Sequence, residues 1–288
     1  MDFETIITIC KQNLIGLDIE TQLILNAIEN QISVIIEGES GTGKTELAKT
    51  IAKALKRPFY RVDGDENLTI THLRGWFDPP LVIEMGFGEK SFIPGPLFKA
   101  MHEGGLFFFN EVNRAPSESI NGVLAAMDER QIEVPQYKSI HAKKEFYSIF
   151  TLNPAEYIGT NPLPEAFFDR SILIHLSHKT GQESKQIIKL RTNCEDDELI
   201  TKVALFTEQT RKSPLFERGA SIRAAIQCTK LLSGKPLNPE IIFSTVNAVF
   251  SAKVKLHPDV NRPVEECLME IAEQIFSFTK PKKSESGI

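Results

Sequence analysis

Residues 38–45 have the sequence G-E-S-G-T-G-K-T, which matches the phosphate-binding pattern G-x-x-x-x-G-K-[S/T]. An apolar run at residues 34–36 precedes the motif and predicts a buried strand, and residues 46–55 follow with apolar side chains at helical spacing. A glycine-rich turn between a strand and a helix presents backbone N–H groups to phosphate oxygens. The motif therefore predicts that Lys44 binds the β- and γ-phosphates of a nucleotide and that the hydroxyl of Thr45 ligates Mg²⁺. The predicted nucleotide-binding residues are Gly38, Glu39, Ser40, Gly41, Thr42, Gly43, Lys44, Thr45 and Glu46.

Composition excludes several other classes of protein. The apolar and charged fractions, 41% and 25%, are typical of a soluble globular chain. The net charge of −5 argues against nucleic-acid binding over the whole surface, although a basic pore or local patch stays open. No apolar run approaches the roughly 20 residues of a membrane span, and the N-terminus does not resemble a signal peptide. The four cysteines form no C-x-x-C pair, so we expect free thiols and a cytoplasmic location.

The chain divides by pattern near residue 177. Predicted strands alternate with helices over residues 30–177, which indicates an α/β domain (1–177) with a parallel sheet between two layers of helices. Residues 75–96 are rich in Gly and Pro, and we expect a small hairpin there that pairs residues 81–83 with 91–93. The pattern from residue 178 onward predicts an all-helical lid domain (178–279), and the polar composition of 280–288 predicts a disordered tail.

A second chemical element follows the most apolar predicted strand. Hydrolysis of a nucleotide needs acidic groups at the end of a buried strand beside the phosphate-binding loop. Residues 106–109 are entirely apolar, and Asn110 and Glu111 come next. The continuation over residues 109–116, F-N-E-V-N-R-A-P, resembles the Walker B region of the MoxR family of AAA+ ATPases, where apolar residues precede D-E-I-N-R-A-P.

Further segments resemble the same family in the same order. They are residues 92–98, after an insert in helix 2 (about 76–93), then residues 124–132, the sensor 1 segment 150–160, residues 162–170 and the sensor 2 segment 219–224. The resemblance covers nearly the whole chain, roughly residues 10–270. It implies an AAA+ P-loop NTPase fold with a helical lid.

The resemblance also implies a role for individual residues. Glu111 would act as general base or orient the attacking water, and Asn153 would position that water or contact the γ-phosphate. Arg170 would be an arginine finger for the nucleotide of a neighbouring subunit, and Arg223 would reach the γ-phosphate from the lid. Three of these residues have a plainer alternative: Asn153 as a turn-forming asparagine, Arg170 as an arginine in a salt bridge, and Arg223 as an exposed helix arginine. For Arg114, a second trans-acting arginine and a structural salt bridge are equally open.

Asn110 departs from the family pattern, which has aspartate at this position. The amide oxygen can accept a hydrogen bond from a Mg²⁺-bound water, but the negative charge is absent. Three interpretations remain open: a tolerated variant with weaker Mg²⁺ binding, a slow ATPase that works as a nucleotide-dependent switch, and an engineered trap.

The resemblance implies an ATP·Mg²⁺-dependent hydrolase that acts as a homo-oligomeric ring, by family precedent a hexamer. Its expected role is that of a chaperone that remodels or matures a client protein, sometimes for metal or cofactor insertion, with a separate von Willebrand factor A-domain partner. Two alternatives stay open. One is a nucleotide-binding assembly scaffold, or a gas-vesicle-type accessory ATPase, with little turnover. The other is the motor subunit of a nucleic-acid-acting complex.

Overall fold

The computed structural model describes residues 3–154 and 163–277. The chain forms two compact units, Met1–Ser177 and His178–Ile288. The predicted disordered tail (280–288) and residues 155–162 of the family-like segments lie outside the described residues.

The first unit is built on a parallel sheet with helices on both faces, as the sequence predicts. The described strands of this sheet run in the order β2-β5-β8-β1-β9, and every pair in it is parallel. The described elements of this unit are α1 (Phe3–Asn13), α2 (Asp18–Glu29), β1 (Ser33–Glu37), α3 (Lys44–Ala54), β2 (Phe59–Asp63), α4 (Ile70–Arg74), β3 (Gly75–Phe77), α5 (Pro79–Met85), β4 (Phe92–Pro94), α6 (Pro96–Glu103), β5 (Leu106–Asn110), a 3₁₀ turn (Val112–Arg114), α7 (Ser117–Glu129), β6 (Gln131–Val134), β7 (Lys138–His141), β8 (Tyr147–Leu152), α8 (Glu165–Asp169) and β9 (Ser171–His175).

The central strands are apolar on both faces because helices cover both faces of the sheet. In β5, Phe107 and Phe109 pack into the core on one face, while Phe108 packs into the core on the other. All three side chains are completely buried, and the ring of Phe108 stacks on Phe59 of β2 with centroids 5.4 Å apart. A strand buried on both faces is continuously apolar instead of alternating.

The hairpin expected within residues 75–96 forms with different partners. Strand β3 (Gly75–Phe77) pairs antiparallel with β4 (Phe92–Pro94), whereas residues 81–83, predicted as a strand, lie in helix α5. The helix begins at Pro79 because a proline in the first turn has no N–H to satisfy, and the carboxylate of Asp78 caps the backbone N–H of Leu81 at 3.2 Å.

Other parts of the first unit also differ from the sequence expectation. Helix α1 is an addition, because no prediction was made for residues 3–13. Helix α2 leaves two of its apolar side chains, Ile19 and Leu23, exposed. Strands β6 and β7 form a separate antiparallel hairpin outside the main sheet.

The second unit is predominantly helical around its own core. Its described elements are α9 (Gly181–Thr192), α10 (Asp197–Lys212), β10 (Phe216–Arg218), α11 (Ile222–Leu232), α12 (Pro239–Phe250), β11 (Lys255–Leu256) and α13 (Val264–Phe276). The rings of Phe206 and Phe250 meet edge to face in this core, with centroids 4.8 Å apart. The expectation of an all-helical unit is wrong in one detail, because β10 and β11 form a short antiparallel ribbon.

Two findings concern the chain as a whole. Cys10, Cys194, Cys228 and Cys267 are free thiols, and all are buried. Over the described ranges, no helix has both the length and the apolarity that crossing a lipid bilayer requires.

Replacement of Phe108 by Ala should lower the free energy of unfolding by about 3–5 kcal/mol, because it leaves a cavity in the central strand. The matched control is Ile83→Ala in the same unit, where the residue is 87% exposed. That change should cost less than about 0.5 kcal/mol. Chemical denaturation of the full chain measures both, and equal losses would show that β5 does not form the core described above.

Candidate functional site

Five parallel strands bring their carboxyl ends to one edge of the sheet, where ligands of such sheets bind. Residues 38–45 continue from β1, Asn110 ends β5, and Asn153 follows β8. Because β8 pairs with both β1 and β5, the phosphate-binding loop after β1 and the end of β5 lie on either side of β8. The loop, Asn110, Glu111 and Asn153 therefore share this edge, whereas Arg170 directly precedes β9 and lies at the amino ends of the strands.

Glycine in the phosphate-binding loop lets the loop backbone lie close to a neighbouring segment of chain. A Cβ atom at Gly38 would overlap the carbonyl oxygen of Leu176. Gly43 has a φ of +103° and immediately precedes α3, so it turns the chain into the helix. The loop is braced internally by Thr42, whose hydroxyl donates to the carbonyl oxygen of Glu39 at 2.9 Å. The first N–H groups of α3 have no intrahelical acceptor, and they favour an anion at this helix end.

Lys44 lies over this loop. Its side chain is buried, and its Nζ donates to the carbonyl oxygens of Gly38 and Glu39, the latter at 3.0 Å. Carbonyl oxygens stabilise the ammonium without neutralising it. The cation is therefore held at the loop, where a phosphate group would meet both its charge and the N–H groups of the helix.

The end of β5 is organised by one hydroxyl group. Thr151 of β8 accepts a hydrogen bond from the backbone N–H of Glu111 at 2.8 Å and donates to Oδ1 of Asn110 at 2.9 Å. Glu111 has left-handed backbone geometry with a φ of 51°, which is costly for a residue other than glycine. Thr151 is completely buried, so its hydrogen bonds are shielded from water and hold this geometry in place.

The carboxylate of Glu111 is paired with Arg114. The Nη1 of Arg114 donates to Oε2 of Glu111 at 2.9 Å, three residues along the chain. The structure thus shows the salt bridge that the sequence left as one of two alternatives for Arg114. Half of the Arg114 side chain is exposed, so this pairing is weak and reversible.

A second carboxylate adjoins Asn110. Asp63 ends β2 and lies opposite Asn110 in the strand register, where its Oδ1 accepts a hydrogen bond from Nδ2 of Asn110 at 2.8 Å. Arg61 donates through Nε to both oxygens of Asp63, at 3.0 and 2.9 Å. The hydrogen bonds from Arg61 hold the pKa of Asp63 below its ordinary value. Asp63 is therefore ionised at neutral pH.

Asn153 lies beside the start of the phosphate-binding loop. The backbone N–H of Gly38 donates to the carbonyl oxygen of Leu152 at 3.2 Å, and Asn153 is the next residue. Its side chain is 4% exposed. Asn153 is thus buried next to the phosphate-binding loop.

Arg170 and Arg223 occupy exposed positions in different units. Arg170 forms an ion pair with Asp128 of α7, and its Nη1 donates to the carbonyl oxygen of Ala166 at 3.0 Å. Arg223 is the second residue of α11. The preceding Ala220 is fixed by α10, since its N–H donates to Thr210 at 3.0 Å and its carbonyl oxygen accepts from Arg211.

The residues at this edge fit a nucleotide with Mg²⁺. Mg²⁺ prefers oxygen ligands and keeps several waters, so it needs few protein groups. The hydroxyl of Thr45, in the first turn of α3, and the amide oxygen of Asn110 are groups of that kind. Clusters of three or more His, Cys, Asp or Glu side chains suited to hold a metal do not occur among residues 3–154 and 163–277. The donor set thus suits a metal bound mainly through phosphate and water.

Comparison with known proteins agrees with this geometry. Residues 33–171 match the model of the AAA domain, dynein-related subfamily. An uncharacterised protein of Staphylococcus haemolyticus is 33% identical over 217 residues, which cover 73% of this chain and 81% of that protein. An uncharacterised protein of Staphylococcus aureus is 32% identical over the same shares of each chain. Residues 33–171 of this chain are an AAA+ domain.

Solved structures show the same AAA+ fold. A candidate ATPase from Cytophaga hutchinsonii superimposes with a TM-score of 0.55 and 19% identity, and the match covers 94% of this chain and 93% of that one. A point mutant of RuvB from Thermotoga maritima superimposes with a TM-score of 0.54 and 18% identity, and the match covers 82% and 71%. At this level of identity the likeness concerns the fold alone.

Three residues at or near the site were not predicted: Asp63, Asp128 and Thr151. Asp63 and Thr151 lie at the carboxyl ends of β2 and β8, and their position in a parallel sheet was a usable signal. Asp128 pairs with Arg170 across 42 residues of sequence, and spacing along the chain carries no sign of that contact.

Replacement of Thr151 by Val should lower the free energy of unfolding by about 1–3 kcal/mol, because the N–H of Glu111 then has no acceptor in a buried place. Thr151→Ser keeps the hydroxyl and is the matched control, with a smaller loss expected. Chemical denaturation distinguishes them. If Val and Ser cost the same, the hydroxyl does not hold the end of β5.

Proposed function

We propose that this chain is a MoxR-type AAA+ ATPase that hydrolyses ATP with Mg²⁺. The observation that carries the proposal is the edge of the sheet on which Lys44, Asn110, Glu111 and Asn153 meet. A protein that only bound phosphate would need the loop and Lys44. It would not need a carboxylate and a buried amide at the ends of β5 and β8.

The residues of this edge have separable tasks. Lys44 and the N–H groups of α3 bind the phosphates, while Thr45 and Asn110 would hold Mg²⁺. The metal, when bound, neutralises charge that develops on the phosphate oxygens. Glu111 accepts the proton of the attacking water or orients that water, and for this its carboxylate must separate from Arg114. Asn153 would contact the γ-phosphate or orient the same water.

Hydrolysis is proposed to require a ring, by family resemblance a hexamer. Arg170 would act on the nucleotide of a neighbouring subunit, where an arginine stabilises charge on the transferred phosphoryl group. Its exposure and its pairing with Asp128 support this, because an exposed ion pair can be exchanged for a phosphate at little cost. Arg223 is proposed as the sensor of the second unit on family resemblance alone.

The cellular role that we propose is remodelling of a client protein together with a separate von Willebrand factor A-domain partner. The proposal rests on the MoxR-like segments described above, which occur in the same order as in that family. In this mechanism, motion of the second unit during the nucleotide cycle transmits force to the client. The insert supports this role, because it offers an exposed apolar surface on the first unit to a protein: Trp76 is 41% exposed, Ile83 87% and Phe87 52%.

Two alternatives have specific observations behind them. Asn110 in place of aspartate, together with the paired Glu111, favours a nucleotide-held scaffold with little turnover. A solved RuvB structure from Thermotoga maritima, described as a Holliday junction branch migration motor, shares the fold at a TM-score of 0.50 and 19% identity. That structure raises the nucleic-acid-acting motor as an alternative, but the likeness concerns the fold alone, and the net charge of −5 favours a protein client.

Phosphate release from Mg·ATP should rise faster than in proportion to protein concentration as the ring forms. Lys44→Ala should abolish it, and Arg170→Ala should lower it by about 10³-fold or more. The matched control is Arg262→Ala, because Arg262 is also an exposed, ion-paired arginine but lies in the second unit, where it contacts Glu270. That variant should retain wild-type turnover.

Three results would change the proposal. Nucleotide binding without turnover in the assembled protein would favour the scaffold. Turnover stimulated by DNA would favour the motor. Turnover independent of both concentration and Arg170 would refute the ring mechanism and leave a hydrolase that acts as a monomer.

A further inference from the structure

The contact between Asp63 and Asn110 places a carboxylate one strand away from the position that the Walker B aspartate occupies in the family. Asp63 ends β2, Asn110 ends β5, and their side chains are joined by a hydrogen bond of 2.8 Å. We propose that Asp63 is a positioning residue for the Mg²⁺·nucleotide site: it fixes the amide of Asn110 and places a carboxylate, shared with Arg61, beside a position that lacks one. The inference rests on the proposed function.

The network leaves only one orientation for the amide of Asn110. Nδ2 of Asn110 donates to Asp63, which leaves Oδ1 facing Thr151, so the Thr151 hydroxyl is the donor to Asn110. Ionised Asp63 has no proton and can only accept. Asn110 must therefore direct its NH₂ group toward Asp63 and its oxygen toward Thr151.

Charge explains why an amide suits this position. An aspartate at 110 would put one carboxylate oxygen against another at the distance of the present hydrogen bond. Without a cation between them, two such carboxylates resist joint ionisation. The amide of Asn110 instead donates to the carboxylate of Asp63, whose charge is shared with Arg61.

Asp63 can also strengthen Asn110 as a ligand. A carboxylate that accepts a hydrogen bond from a ligating side chain orients that side chain and increases the basicity of its ligand atom. Here the hydrogen bond from the NH₂ group polarises the amide toward its oxygen. Arg61 holds the carboxylate of Asp63 in place, because its Nε donates to both carboxylate oxygens.

A purely structural role for Asp63 is less well supported. Strands β2 and β5 are already joined at this point by the backbone, since the N–H of Gly64 donates to the carbonyl oxygen of Asn110 at 2.7 Å. A Cβ atom at residue 64 would also collide with the carbonyl oxygen of Glu111, so the two strand ends are in full backbone contact. The side-chain bond is not needed to hold them.

The test uses the full chain with Asp63→Asn, Asn110→Asp and the double variant. The matched control is Asp65→Asn, because Asp65 is a nearby exposed carboxylate that caps only the N–H of Asn67. Two quantities are measured: the Mg²⁺ concentration that half-saturates binding of a fluorescent ATP analogue, and the melting temperature without Mg²⁺.

We expect Asp63→Asn to raise the half-saturating Mg²⁺ concentration by about tenfold, whereas Asp65→Asn leaves it unchanged. Asn110→Asp alone should lower the metal-free melting temperature, since the carboxylates of residues 63 and 110 then repel each other. The double variant should recover that temperature and bring the Mg²⁺ requirement back to within about threefold of wild type, because the two changes are coupled.

An unchanged Mg²⁺ requirement in Asp63→Asn, or a double variant no better than Asp63→Asn alone, would overturn this inference. In that case the proposed function still stands, provided that the wild type binds the analogue and Lys44→Ala does not. Failure of the wild type to bind the analogue at any Mg²⁺ concentration would overturn both.

Discussion

The candidate site depends on the two hydrogen bonds of the Thr151 hydroxyl. This hydroxyl accepts from the backbone N–H of Glu111 and donates to Asn110, so one buried oxygen fixes both residues that follow the apolar part of β5. The strained backbone of Glu111 is tolerable because this acceptor lies on the adjacent strand, held by the sheet. A sheet buried on both faces is rigid enough to keep these groups within hydrogen-bonding distance.

The site also shows how a change of charge can be absorbed by its surroundings. Considered alone, Asn110 is the loss of an acidic group from a family motif. In the structure it lies between a hydroxyl donor and an ionised carboxylate, and both hydrogen-bonding ends of its amide are used. The departure of Asn110 from the motif is thus matched by its neighbours on β2 and β8, and its effect has to be measured on the group of residues together.

The sequence predicted the parallel sheet and most helices because their signals are local and strong. The loop at residues 38–45 and the apolar run of β5 each lie within one stretch of chain. The hairpin within 75–96 was assigned to the wrong residues. The short apolar run at 81–83 has the composition of a strand, but it lies in a helix that begins at Pro79 and Pro80. The contacts of Asp63 with Asn110 and of Asp128 with Arg170 were not predicted from the sequence, because the paired residues are 47 and 42 positions apart along the chain.

The four cysteines are buried, so in the native fold they are protected from thiol-modifying reagents. Only a thiolate reacts readily with alkylating reagents, and burial raises the pKa of Cys10 and brings that of Cys228 to about 12. The native fold therefore offers such reagents no ready target at these positions. A single cysteine introduced at an exposed site, such as residue 87 of the insert, would then be labelled selectively, so that spectroscopic probes can be attached to the protein without removing its own thiols.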